Sequence, residues 1–152
     1  MIDLRNLIFS IVNSYKNTRI DASLNGEPIG SLIFTANADH IKLVYIDVNR
    51  KYQNLGVGQS LYREFGKIYN EQYNGMNVEQ WFVNPIAEYA FRKAVSLGWI
   101  PQEALTEHNM KRSYDDGKLV NDLRNKLPEN VRGPEVWANK YHKEEEEDID
   151  VK

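Results

Sequence analysis

The residues best spaced for chemistry are two glycines one residue apart, Gly56 and Gly58. They lie in the run Tyr45-Ile46-Asp47-Val48-Asn49-Arg50-Lys51-Tyr52-Gln53-Asn54-Leu55-Gly56-Val57-Gly58-Gln59-Ser60-Leu61-Tyr62. The run passes from an apolar extended segment through a polar turn into a helical pattern, because Leu61, Phe65, Ile68 and Tyr69 recur at three-and-four spacing. The glycines therefore fall where a strand enters the first turn of a helix. The first N–H groups of a helix lack intrahelical partners and carry partial positive charge, so they attract phosphate. A residue without Cβ lets a bulky pyrophosphate come close to that backbone. Two phosphate-holding signatures fail on specifics. The P-loop ends in Gly-Lys-Ser/Thr, and this chain has Gly58-Gln59-Ser60. The dinucleotide fingerprint needs a third glycine, where Leu61 stands, and an acid ending the next strand, where Asn84 stands while Glu79 begins it. A structural strand-turn-helix with incidental glycines is the plain alternative.

The elements that must position these residues can be read in order. Asp3 can cap a short helix with Leu4, Leu7, Ile8, Ile11, Val12 and Tyr15 on its apolar side; the β-branched residues make a strand over 7–12 the alternative. Residues 18–24 alternate, Asn25-Gly26 is a strong hairpin signal, and 28–36 return as a strand. Asn37-Ala38-Asp39 leads into a strand over 41–48. The helix after Gly56 runs to about Tyr73 and stops at Asn74-Gly75. Residues 78–83 form a short apolar strand, parallel to the preceding one because a helix separates them. Asn84-Pro85 opens a further helix, with Ala87, Ala90, Phe91, Ala94 and Leu97 facing inward and Gly98-Trp99 closing it.

Val48, Gln53, Gly56 and Gly58 fit the pattern Val-x-x-x-x-Gln-x-x-Gly-x-Gly without a gap. Asn84, Ala87, Phe91 and Gly98-Trp99 then follow as Asn-x-x-Ala, aromatic, Gly-aromatic. In this order, and over residues 18–100, they resemble the acetyl-CoA-binding motif and second landmark of the GNAT N-acetyltransferase superfamily. The resemblance implies an α/β (α+β) fold. Its sheet is mixed and mostly antiparallel, with helices on both faces, and strands 41–48 and 78–83 splay at their C-terminal ends. It implies acetyl-CoA as cofactor, its pyrophosphate held by backbone N–H groups among Gln53, Asn54, Leu55, Gly56, Val57, Gly58 and Gln59. Ile46, Asp47 and Val48 would pair with the pantetheine arm and polarise the thioester carbonyl. Asn84 and Phe91 would lie beside the cofactor.

The implied reaction is direct attack of an amine acceptor, a protein among the candidates, on the thioester. No covalent enzyme intermediate is required, which suits a chain without cysteine. Asp47 and His40 are the candidates for the base that makes the amine neutral, and each also reads as a structural residue. Many members of the superfamily carry a proton-donating tyrosine where this chain has Phe91. Tyr89 lies about 200° away around the helix, which leaves water to protonate the departing thiolate. A non-catalytic acyl-CoA-binding or protein-interaction module is the rival function.

The resemblance is weak outside this core. Only residues 1–17 precede the hairpin, where the superfamily has a strand and two helices. After Trp99 only residues 107–114 are weakly strand-like. A helix over 114–127, with Leu119, Val120, Leu123 and Leu127 on one side, and another over 134–141 with Trp137 and Tyr141, would extend a single domain of residues 1–142 (core 18–114, extension 115–142). That extension could cover the sheet or form a homodimer contact.

Composition sets the outer bounds. With no cysteine there are no disulfides and no thiolate metal site, and a cytoplasmic setting is expected. His40, His108 and His142 show no metal-ligand spacing. The start has no basic leader, and no segment reads as a membrane span. The net charge of −3 comes from the tail 143–152, whose six acids and two lysines give −4 and leave +1 for the rest. The body thus lacks the basic field that nucleic-acid binding needs, and the tail has too little apolar surface to order.

Overall fold

The computed structural model describes residues 3–82, 84–105, 110–112, 125–128 and 131. Four strands form an antiparallel meander: β1 (Leu7–Asn13), β2 (Thr18–Leu24), β3 (Glu27–Ala36) and β4 (His40–Val48). Helix α1 (Val57–Gln72) carries the chain to β5 (Asn77–Phe82), parallel to β4, and α2 (Pro85–Ser96) follows. A short β6 (Met110–Arg112) adds in parallel to β5, completing one sheet in the order β1 to β6. The mixed, mostly antiparallel sheet with its parallel pair is the expected fold class. Within the weakly strand-like stretch 107–114, the described residues 110–112 form β6.

The N-terminus differs from the first expectation. Asp3 does cap, accepting from Arg5 N, but only one 3-10 turn over Leu4–Asn6. The chain then pairs along the whole of β1 with β2, from Leu7 opposite Leu24 to Asn13 opposite Thr18. The branched side chains of Ile8, Ile11 and Val12 fit a pleated strand better than a helix, and β2 offers the backbone partners. The hairpin between β2 and β3 turns as expected, with Asn25 and Gly26 both at positive φ (52° and 84°).

α1 buries Val57, Leu61, Tyr62, Phe65, Ile68 and Tyr69 against Ile20, Ala22, Leu32, Phe34, Ile41 and Leu43 of the sheet. In α2 the inward residues are Phe91, Ala94 and Val95, whereas Leu97 is 47% exposed. The helix ends there, and Gly98 at φ 83° swings Ile100 into the core instead. Glu88, Arg92 and Arg112 form a buried charged cluster. Glu88 Oε1 and Oε2 accept from Arg112 (2.7 and 3.1 Å), and Oε2 also accepts from Arg92 (2.9 Å), fastening α2 to β6.

α1 and α2 touch each other and pack on the same face. The expectation of helices on both faces is corrected for the described residues: the first strand takes up the segment in which covering helices would lie. The helix expected over 134–141 and the acidic tail lie outside the described residues, as does most of the one expected over 114–127.

Candidate functional site

β4 and β5 pair only from His40–Asn77 to Leu43–Gln80, yet β4 runs on to Val48 and β5 to Phe82. Beyond Leu43 the two parallel strands part. β3 still pairs with the other edge of β4 as far as Gly30–Val48. The edge of β4 facing β5 from Tyr45 to Val48 is thus outside the ladder, which leaves backbone groups open to an extended ligand. The cause is visible in the register. Ile33 faces Tyr45 and Phe34 faces Leu43, so Val44 is an extra residue bulged out of the ladder. Below this opening Tyr62, fully buried, donates to Gln80 Oε1 at 3.5 Å, and burial pushes its phenol far above the ordinary range.

The turn leaving β4 is tied down at several points. Asn49 N donates to the Ile29 carbonyl (2.8 Å), Tyr52 Oη to Glu27 Oε1 (3.1 Å) and Gln53 Nε2 to the Val48 carbonyl (3.0 Å). Asn54 and Gly56 take positive φ (65° and 96°), which turns the chain into α1. The first intrahelical bond is Ser60 N to the Gly56 carbonyl (3.0 Å), so the N–H groups of Val57, Gly58 and Gln59 precede the helical ladder.

The glycines have a packing task of their own. A Cβ on Gly56 would meet Leu4 Cδ1 at 3.3 Å, and one on Gly58 would lie 3.8 Å from Val48 Cγ2 and 3.9 Å from Ile46 Cδ1. Gly58 thus faces the sheet. The side chain of Val57 is buried and those of Ile46 and Val48 pack against the core, so these residues offer a ligand backbone groups.

Other sequence-nominated residues are placed differently. Asn84 caps α2, its Oδ1 accepting from Ala87 N at 2.7 Å. Phe91, expected beside the cofactor, is fully buried, with its ring 5.3 Å from Tyr62 and 5.6 Å from Phe82. His40 starts β4, where the strands are still paired, and contacts Asp39 (3.0 Å) and Glu79 (3.4 Å). Seven residues of strand, about 20 Å, separate it from Asp47, so the two do not share a site.

Asp47 lies on the helix-free face in a groove of about 690 Å³ with Arg19, Asp21, Ser31, Ile33 and Tyr45. Register sets Asp21, Ser31 and Asp47 in one row across β2, β3 and β4. Ser31 Oγ donates to Asp21 Oδ1 (2.8 Å), as does Arg19 Nε (2.8 Å). Burial alone would raise the Asp21 carboxyl, but these two hydrogen bonds and the Arg19 charge outweigh it and hold the group below the usual carboxylate range. Burial, then the charge and hydrogen bond of Asp47, push the Tyr45 phenol up. Tyr45 was not singled out from the sequence. Its only signal is the two-residue spacing from Asp47, and the bulge obscures which face that spacing reports.

No protein-family model matches the chain, and no curated protein matches it. Among solved structures, it is similar to the crystal structure of a Bacillus anthracis protein assigned as a streptothricin acetyltransferase, in complex with acetyl coenzyme A. The identity is 24%, over 45% of this chain and 40% of the other, with a TM-score of 0.39. The chain therefore spans less than half the length of that protein. No described helix is long and apolar enough to cross a membrane.

Proposed function

We propose that the chain is an acetyl-CoA-dependent N-acetyltransferase of the GNAT type. The observation that carries the reading is the parting of β4 from β5 beyond Leu43–Gln80, immediately before the Gly56 turn. The motif residues Val48, Gln53, Gly56 and Gly58 support it. They line the passage from an open strand edge to the start of a helix, the order in which a pantetheine arm and a pyrophosphate would follow one another. The β4 edge from Tyr45 to Val48 can pair with an amide-bearing arm, and the free amides of Val57, Gly58 and Gln59 favour negative charge.

Acetyl-CoA would supply the acetyl thioester. Asp47 is the carboxylate positioned to take a proton from the attacking amine, directly or through one water. Tyr45 holds a protonated phenol beside it. No hydroxyl stands at Phe91, so solvent protonates the departing thiolate, a tolerable leaving group because an unperturbed thiol has a pKa near about 8.5. Calorimetric titration with acetyl-CoA tests the binding part. Saturable binding is expected, and its absence overturns the reading. Thiol release with a panel of amines tests the chemistry. Asp47→Asn should lower turnover by about 10²–10⁴ while leaving acetyl-CoA affinity unchanged. The burial of Phe91 favours a second reading, an acyl-CoA-holding module without turnover; binding with no thiol release from any amine would select it.

A further inference from the structure

We propose that the outer edge of β1 is a self-association surface, on which two copies of the chain pair β1 to β1, antiparallel, about a two-fold axis at Ser10. Among the described residues no strand pairs with this edge, because β1 ends the sheet. It is seven residues long and contains neither proline nor a charged residue. Those are the devices by which exposed edges are normally kept from pairing. Three of its apolar side chains remain in solvent, Ile8 (66%), Ile11 (53%) and Val12 (41%). Ile11 is on the helix-bearing face, but α1 packs over β2, β3 and β4 and leaves it half exposed.

The occupant is specified by the strand itself. Leu7-Ile8-Phe9-Ser10-Ile11-Val12-Asn13 has the same pattern of residue kinds read in either direction from Ser10, apart from its two ends. In the two-fold register Ile8 meets Val12 on the helix-free face and Phe9 meets Ile11 on the helix-bearing face. Ser10 meets Ser10. A closed two-fold contact requires this self-complementarity, and directly opposed apolar and branched pairs are the unit that stabilises an antiparallel ladder. With no charge in the strand, two identical edges meet without repulsion. The two sheets would become one, with their helix-free faces on the same side.

The chain has no cysteine, so an introduced thiol reports its own neighbourhood. Ser10→Cys should form a disulfide-linked dimer on mild oxidation, because directly opposed residues bring Cα atoms within bridging distance. Ile8→Cys alone should not, since the two copies of residue 8 stand four residues apart in this register. Ile8→Cys combined with Val12→Cys should restore the link. Sedimentation of the parent across a concentration series should approach twice the 17.7 kDa chain mass. Val12→Lys, at a half-exposed position, should return it to the monomer with an unchanged melting curve. A parent that stays monomeric throughout, or an Ile8→Cys chain that links as readily as Ser10→Cys, would overturn the proposal.

Discussion

The two faces of the sheet are made by the same strands, residue by alternate residue, and they differ in kind. One is closed by α1 and α2 over a core of Ile20, Leu32, Phe34, Ile41, Leu43 and Phe65. The other carries Arg19, Asp21, Ser31, Tyr45 and Asp47 around an open groove. The covered face tolerates little change because each side chain is held by others. The open face can hold charge because water still reaches it. Stability and chemistry are thus separated across the thickness of a single sheet.

The strongest way to break this contrast is to disturb charge on the covered side. Glu88→Gln removes the carboxylate that both Arg92 and Arg112 contact, and its loss should cost about 3–5 kcal/mol. A thermal or urea melt would read it, and a loss under about 1 kcal/mol would show that the cluster is no more consequential than a surface pair. Gly66→Ala should come next. Its Cβ would fall 2.3 Å from the Trp99 carbonyl oxygen, so α1 and the Gly98-Trp99 turn would have to separate. A loss of about 1–3 kcal/mol is expected, and an unchanged melting temperature would mean that this contact gives way freely.

The smallest effect belongs to the open face. Asp21→Asn should cost at most about 1 kcal/mol at neutral pH, because Arg19 is half exposed. The sign with pH is fixed by the lowered folded-state pKa. The contribution is fully present above the unfolded value of about 3.9 and is lost as pH falls through the folded one. Parent and variant should therefore differ by a constant amount from neutral pH down to about 5 and converge below about 4. Convergence already at pH 6 would rule out Asp21 as the source.

Local signals made much of this legible. Asn25-Gly26 set the hairpin, the spacing of Leu61, Phe65, Ile68 and Tyr69 set α1, and Asn84-Pro85 set the start of α2. What stayed hidden depends on tertiary contact. The apolar residues of 4–15 satisfy helical spacing as well as a strand does, and only the free edge of β2 decides between them. A glycine inside a helix reads as a weakness, yet Gly66 is needed because the Trp99 backbone presses on that spot. Phe91 was legible as a buried aromatic, but its neighbours Tyr62 and Phe82, which leave it no surface, come from other elements. His40 and Asp47 could have been separated on paper, since a strand too long to bring its two ends together was already in view.

The extra residue at Val44 has a consequence of another sort. A strand has a reading frame of two, and one inserted residue shifts that frame for everything downstream. Ahead of the insertion Leu43 points into the core; after it Ile46 and Val48 do, while Tyr45 and Asp47 point out. Deleting Val44 would leave the faces unchanged, because Leu43 and Tyr45 would become neighbours opposite Phe34 and Ile33, with Tyr45 and Asp47 still outward and Ile46 and Val48 still inward. What the deletion would remove is the kink: β4 would run straight, free to stay in register with β5 past Leu43 and close the opening. Length variation is commonly tolerated in loops, but here a one-residue deletion inside a strand would spare the polar surface and take away the cleft.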